Sequence, residues 1–484
     1  MEVGLLDNPA DLPRLTRSAP APKAGIVHLG LGAFYRAFGA VYIQEAMNAS
    51  GGDWGIIGVS LRSPGTRDAL APQDGVYTSV TQGPEGETAE LIESVVELLV
   101  APEDPAALLA RLSDPAIKLV TLTVTEKGYC YEPATGRLLM DHPDIAHDLA
   151  HDIPRSAPGY LMRALQARRA AGVAPFTVLS CDNLPNNGEV TQGVVLELAR
   201  AVDPDLADWI EAEGAFPSSM IDRITPATKD EDIARIAKMT GRYDAAPVVH
   251  EPFRQWVIED RFVGGARPDF AIAGAQMVED VTPFEHMKLR MLNGTHSSLA
   301  YLGYLAGHET IAETVADPVF DHFVQGLWSS EIIPVLDTPP GEDLPSYAAA
   351  LLERYRNPAI RHRTWQIAMD GSQKLPQRIL GTIAEAQAAG HDCPGLMLAV
   401  AAWMRYVGGV DESGGAIDVR DPLAERLKAL SDAAEDPAEK VRALLSVRDV
   451  FSEAQAAAME PALIPAYEAL IAKGARQSIA DLPQ

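Results

Sequence analysis

Residues 24–47, AGIVHLGLGAFYRAFGAVYIQEAM, decide how the first half of the chain is read. Ile26, Val27 and Leu29 make a short apolar strand, Gly30 and Gly32 a turn, and residues 37–47 a helix. A strand that passes through glycines into a helix can set a pyrophosphate on free backbone N–H groups at the helix start. Tyr35 stands where a GxGxxG fingerprint has its third glycine, so an ordinary strand-to-helix turn fits these residues equally well.

Working outward, the same alternation repeats. Residues 54–60 (WGIIGVS), 116–126 (AIKLVTLTVTE) and 176–180 (FTVLS) read as buried strands. Residues 159–171 and 189–202 carry helical patterning between and after them. Alternating strands and helices imply an α/β, doubly wound parallel sheet. Such sheets bind ligands beyond the C-terminal strand ends, where this chain places Arg62, Glu126 and Asn183. An acidic residue usually ends the second strand to take the ribose hydroxyls of NAD. Here Ser60-Leu61-Arg62 stands instead, with Arg67 beyond, leaving NAD and NADP both open. Arg62 and Arg67 could accept a 2′-phosphate or simply be solvated, and Asp182, Asn183, Asn186, Asn187 and Gly188 past the last strand are equally good turn residues.

From residue 284 onward strand signals fade. Residues 284–305, FEHMKLRMLNGTHSSLAYLGYL, read as one helix in which Lys288, Asn293 and His296 interrupt an apolar face. At uniform α winding, His296 lies about 80° round from Lys288 and Asn293 about 140°, within about 12 Å of axis. Lysine walled by apolar groups drops in pKa and becomes a usable acid or base. The amide of Asn293 can meet an oxygen that gains charge, and His296 can hold a proton. A snorkelling lysine, a locally bonded asparagine and a satisfied core histidine are the plain alternatives. Gly294, costly inside a helix, implies close approach of another backbone or a ligand. The division expected is a nucleotide-binding domain over residues 1–283 and a mostly helical domain over 284–484.

Composition narrows the functions. A chain of 484 residues at 47% hydrophobic content is globular and holds more than one domain. Its net charge of -27 repels nucleic acid, and an anionic substrate would require a local cationic cluster. The three scattered cysteines suit a reducing cytoplasm and neither a disulfide framework nor a zinc site. No apolar run approaches a membrane span, and the partner expected is a small molecule.

Seven stretches in order then carry a resemblance: GLGAFYRA at Gly30, TLTVTEKGY at Thr121, SCDNLPNNG at Ser180, FPSSMIDRI at Phe216, EPFRQWVIED at Glu251, MKLRMLNGTH at Met287 and IAMDGSQKLPQR at Ile367. Together they resemble the polyol-specific long-chain dehydrogenases, the mannitol dehydrogenase family. The resemblance implies a Rossmann-like domain, a helical second domain, and zinc-independent hydride transfer with NAD. Lys288 would give the proton, Asn183 and Asn293 would form an oxyanion-stabilising pair, and His296 would orient hydroxyls. Glu126 would pass the lysine's proton to water. Asp222, Arg254, Lys374 and Arg363 would bind substrate, and Gly30, Gly32, Ala33, Phe34, Arg36, Arg62 and Thr125 the cofactor. No metal is implied.

The family's first turn usually reads FHRAH, whereas this chain has Phe34-Tyr35-Arg36-Ala37-Phe38. Aromatic rings there could still wall a nicotinamide pocket. Arginines in and beside the motifs suit a carboxylate, so fructuronate and mannonate are the expected pair, with mannitol and fructose second. A sugar-acid or nucleotide sensor on the same fold is the alternative of another class. A monomer or weak homo-oligomer is expected.

Overall fold

A computed structural model gives the fold and describes residues 9–133 and 135–483. The chain divides into two compact units, Met1–Thr282 and Pro283–Gln484. In the first, the strands are β1 (Ala24–Leu29), β2 (Gly55–Ser60), β3 (Tyr77–Gly83), β4 (Gly86–Ile92), β5 (Val95–Val100), β6 (Leu119–Leu122), β7 (Thr177–Ser180), β8 (Ser219–Asp222), β9 (Val248–His250), β10 (Gln255–Glu259) and β11 (Gln276–Val278).

Strands β5-β2-β1-β6-β7, in that order, pair in parallel throughout. The period of two sends Val27, Leu29, Ile57, Val59, Val120, Leu122 and Val178 into one core and Ile26, Ile56, Leu119 and Leu179 into another. A parallel sheet needs both faces covered, and these strands are apolar on both. The strand read over 116–126 is cut to Leu119–Leu122, and its polar end becomes the loop that carries Thr125 and Glu126.

Two small sheets flank this one: β3 pairs antiparallel with β4 and parallel with β9, and β10 lies between β8 and β11. The sequence reading missed the β3–β4 hairpin because β4, GETAELI, is mostly exposed and has no apolar alternation.

The second unit is helical among its described residues. Its centre is the helix Pro394–Val407, PGLMLAVAAWMRYV, buried nearly all round and packed on the helices Thr295–Leu305 and Glu453–Lys473. The stretch read as one helix over 284–305 is instead three consecutive pieces, α over Thr282–Met287, π over Lys288–Gly294 and α again over Thr295–Leu305. Two more π segments occur at Leu327–Ile332 and Pro376–Leu380. No described helix is long and apolar enough to cross a membrane.

Candidate active site

In the first unit, a cavity of about 1200 Å³ opens at the C-terminal ends of β1, β2 and β6. Its floor is Gly30, Leu31 and Gly32, and its sides include Ser60, Leu61, Arg62, Thr123, Val124, Thr125 and Lys127. Gly30 is required twice over. Its φ is +100°, and a Cβ there would sit 2.0 Å from the Thr123 carbonyl oxygen. The bare backbone therefore lies flush with the neighbouring strand end and leaves the cavity open. Thr123 Oγ1 also donates to the Gly30 carbonyl at 2.7 Å, so the ends of β1 and β6 are tied.

Thr125 holds φ 63° and ψ 164°, a region almost reserved for glycine. A β-branched residue there costs about 1–3 kcal/mol. Asp182 supplies the restraint. Its carboxylate accepts from Val124 N at 2.9 Å, Thr125 N at 3.0 Å and the Tyr129 hydroxyl at 2.7 Å. Burial raises the pKa of Asp182, while these three donors favour its ionised form. Asp182 reads in sequence as a turn residue, and only its position opposite the β6 end reveals the clamp. Neighbouring Asn187 staples β7 to β8, its amide donating to Asp182 O and Ser219 O and accepting from Ser219 N.

The first-turn aromatics point elsewhere than the sequence suggested. Tyr35 and Phe38 are fully buried. Tyr35 stacks on His28 with centroids 3.3 Å apart and accepts from Thr121 Oγ1 at 3.0 Å. Phe38 packs on Tyr42 and Trp256. Neither ring walls the cavity. Arg36 is buried too, donating to the Ala246 carbonyl and lying over the Tyr77 ring. It holds this unit together and does not line the cavity, and nor do Ala33 and Phe34.

In the second unit, the π segment carries Lys288 and Asn293, with His296 one residue beyond its cap at Thr295. Two buried side chains reach backbone carbonyls of this wider i→i+5 turn. Trp328 Nε1 donates to Met291 O at 3.0 Å, and the Tyr355 hydroxyl donates to Leu292 O at 2.9 Å. A Cβ on Gly294 would lie 2.6 Å from the Arg378 carbonyl oxygen, the close backbone approach that this glycine implied. Lys288 and Asn293 are half-buried, and His296 is buried.

His296 stands in cationic company. Burial holds its pKa well below the usual histidine range, and nearby His362, Arg378, Arg354 and Lys374 push the same way. It is a neutral imidazole, packed 4.8 Å from the His362 ring and 4.9 Å from Tyr355. Lys374 donates to the carbonyls of Met369 at 2.6 Å and Ile367 at 3.4 Å. Arg378 reaches Ser297 Oγ at 3.2 Å. Arg354 has no motif signal in the sequence, and only the fold brings it here.

The comparisons with known proteins bear on both units. The Rossmann-domain model of mannitol dehydrogenase matches residues 24–271, and the mannitol dehydrogenase C-terminal-domain model matches residues 280–471. The chain belongs to the mannitol dehydrogenase family. As a member it is an oxidoreductase, which removes the ligand sensor from the readings left open by the sequence. It is 47% identical to a D-mannonate oxidoreductase of Escherichia coli (strain K12), over 95% of this chain and 96% of that one. It is 44% identical to a mannitol 2-dehydrogenase of Pyrenophora tritici-repentis, over 89% of this chain and 76% of that one. Among solved structures, Pseudomonas fluorescens mannitol 2-dehydrogenase in complex with NAD and D-mannitol superposes with a TM-score of 0.83 at 38% identity, covering 98% of this chain and 95% of that one.

The remaining residues singled out in sequence divide between the two units of this mannitol dehydrogenase fold. Asn183 is exposed just past β7, and Glu126 is exposed at the start of a 3-10 turn, outside the cavity lining. Asp222 ends β8 and is buried. Arg254 forks onto Glu45 at 2.8 and 2.6 Å and covers the Tyr42 ring, so its guanidinium is engaged inside its own unit. Arg363 lies exposed beside Glu309, 3.6 Å away. Of the two substrate residues expected in the second unit, Lys374 and Arg363, Lys374 stands in the cationic group around His296. Among the described residues no group of three or more His, Cys, Asp or Glu is placed to hold a metal ion.

Proposed function

We propose that this chain interconverts D-fructuronate and D-mannonate with NAD(H). The observation that carries this reading is the gathering of Arg354, Arg378 and Lys374 around a neutral His296 in a chain whose net charge is -27. So acidic a protein repels a carboxylate unless cations are set locally to receive it, and guanidinium groups suit a carboxylate best. A polyol needs hydrogen-bond partners but no such concentration of positive charge. The D-mannonate oxidoreductase relative, 47% identical over nearly its full length, is consistent with the same choice.

The cavity of the first unit fits the cofactor: it is larger than a drug-sized pocket, floored by two glycines, and lined by Arg62 and Lys127. When bound, NADH supplies hydride to the ketone carbon, and NAD accepts it in reverse. The roles of the chain's own residues follow from their types. Lys288 gives its Nζ proton to the carbonyl oxygen as that oxygen gains charge, and takes it back in oxidation. Asn293 donates its amide N–H to the same oxygen, worth roughly 3–4 kcal/mol for a well-placed donor. His296, kept neutral, offers one donor and one acceptor nitrogen to substrate hydroxyls. Arg378 and Lys374 take the carboxylate.

A mannitol–fructose enzyme is the second reading, favoured by the 44% identical mannitol 2-dehydrogenase. Specificity constants for D-fructuronate and D-fructose with NADH separate the two. Fructuronate is expected to win by more than about tenfold, the worth of one desolvated charge-assisted hydrogen bond. Arg378→Ala should erase that advantage with little effect on fructose. Equal constants, or a preference for fructose, would overturn the uronate assignment.

A further inference from the structure

We propose that Arg62 gives the cavity a 2′-phosphate subsite, so that the protein takes NADP(H) as well as NAD(H); this rests on reading that cavity as the dinucleotide site. In a sheet of this order the adenosine ribose lies against the C-terminal end of β2. A carboxylate there would accept from the 2′-hydroxyl and repel a phosphate on the same oxygen. This chain runs Ser60-Leu61-Arg62-Ser63 past that end, and all four residues line the cavity. None is acidic.

The two arginines nearby differ in availability. Arg67 is spent: it forks onto Glu103 at 2.8 and 3.2 Å and meets Asp68 at 2.6 Å. Asp68, the nearest acid along the chain, is paired with Arg67 by that contact and does not line the cavity. Arg62 is exposed to the cavity, and no described residue offers it a hydrogen bond or an ion pair. Its charge is felt by the Cys130 thiol on the same wall, where it opposes the rise caused by burial. Ser63 and Thr66 add hydroxyl donors beside it.

The wall as a whole agrees. Its fixed cations are Arg62, Lys127 and Arg155, and its acids are Asp144 and Asp152, the latter 3.7 Å from Arg163. In a chain of charge -27 this is a local excess of positive charge, suited to a ligand that carries one phosphate more than NAD. A planar guanidinium with its donors unclaimed is the group that phosphate recognition uses.

Equilibrium binding to the full-length protein, with no carbonyl substrate present, tests this independently of which sugar acid is reduced. NADH and NADPH are titrated by fluorescence, and 5′-AMP and 2′,5′-ADP compete as probes of the adenosine end. The expected result is that NADPH binds within about tenfold of NADH and that 2′,5′-ADP competes at least about tenfold better than 5′-AMP, the worth of a charged hydrogen bond. Arg62→Ala, and Arg62→Gln which keeps the stem, should each bring the two probes to within about twofold of one another. The proposal is overturned if 2′,5′-ADP shows no advantage, if the advantage survives both substitutions, or if neither dinucleotide binds. Tight NADPH binding without turnover of fructuronate would leave this subsite standing and remove the uronate reading instead.

Discussion

Gly294 shows how a single residue ties sequence to chemistry. In most helices, replacing glycine with alanine gains about 1 kcal/mol. Here the new methyl would meet the Arg378 carbonyl oxygen at 2.6 Å, and two rigid backbones would have to part. Gly294→Ala is therefore expected to lose about 1–3 kcal/mol, the usual cost of overpacking. A lower melting temperature together with a lower kcat checks this, and a stabilised, fully active variant would contradict it. The role of this glycine was legible because an interior glycine is costly and calls for a reason. The directions of Tyr35 and Arg36 were not. The Tyr35 ring fills space that opens only because Gly39 lacks a Cβ, which would sit 2.4 Å from the ring, and no local pattern announces that. Asp182 was misread for a related reason, since a carboxylate that braces a strained threonine has the same sequence signature as one that makes a turn.

At the scale of elements, apolar periodicity found the helix over 284–305 but not its winding. α and π turns bury nearly the same residue types, so the angles drawn between Lys288, Asn293 and His296 assumed an α ladder that the π segment replaces. What holds the wider turn is two distant donors, Trp328 and Tyr355. Tyr355→Phe removes only the hydroxyl and leaves the buried Leu292 carbonyl with the Thr295 N–H as its donor, at an expected cost of about 0.5–1.5 kcal/mol. Because that carbonyl adjoins Asn293, kcat for ketone reduction should fall while the Kd for NADH stays unchanged. Stopped-flow titration alongside steady-state rates reads both, and a variant that lost NADH affinity but kept its kcat would refute the link. Helix ends were less legible than helix existence. The helix that begins at Glu453 under a Ser452–Gln455 capping box runs through Pro461 and Pro465, residues that by local rule open or break a helix.

For the whole molecule, the strand-and-helix alternation and the seven motifs made the fold readable, while the cationic group around His296 needed residues that only tertiary structure brings together. The same burial that keeps His296 neutral acts on other histidines. His28 is lowered to about 3, and His250 and His362 to about 4, each chiefly by burial. Their folded values lie below the unfolded value of about 6.5. Below that pH the unfolded chain binds more protons, so stability is present above about 6.5 and is lost as pH falls, by up to about 1.4 kcal/mol per unit for each histidine. Glu331 acts in the opposite sense. Burial raises it to about 7, so it favours the fold as pH falls from 7 towards the unfolded carboxylate value. Asp182 and Glu90, also raised by burial, act with it, but the four histidines outnumber these three carboxyls, and the melting temperature should drop between pH 7 and pH 5; a flat or rising profile would contradict these assignments. That Lys288 hands the proton to the ketone is tested most directly by Lys288→Ala, comparing its kcat for fructuronate reduction and its Kd for NADH with those of the unaltered protein. The expected result is a loss of about 10²–10⁴ in kcat, the worth of general acid catalysis, with the NADH Kd unchanged; wild-type turnover in that variant would contradict it.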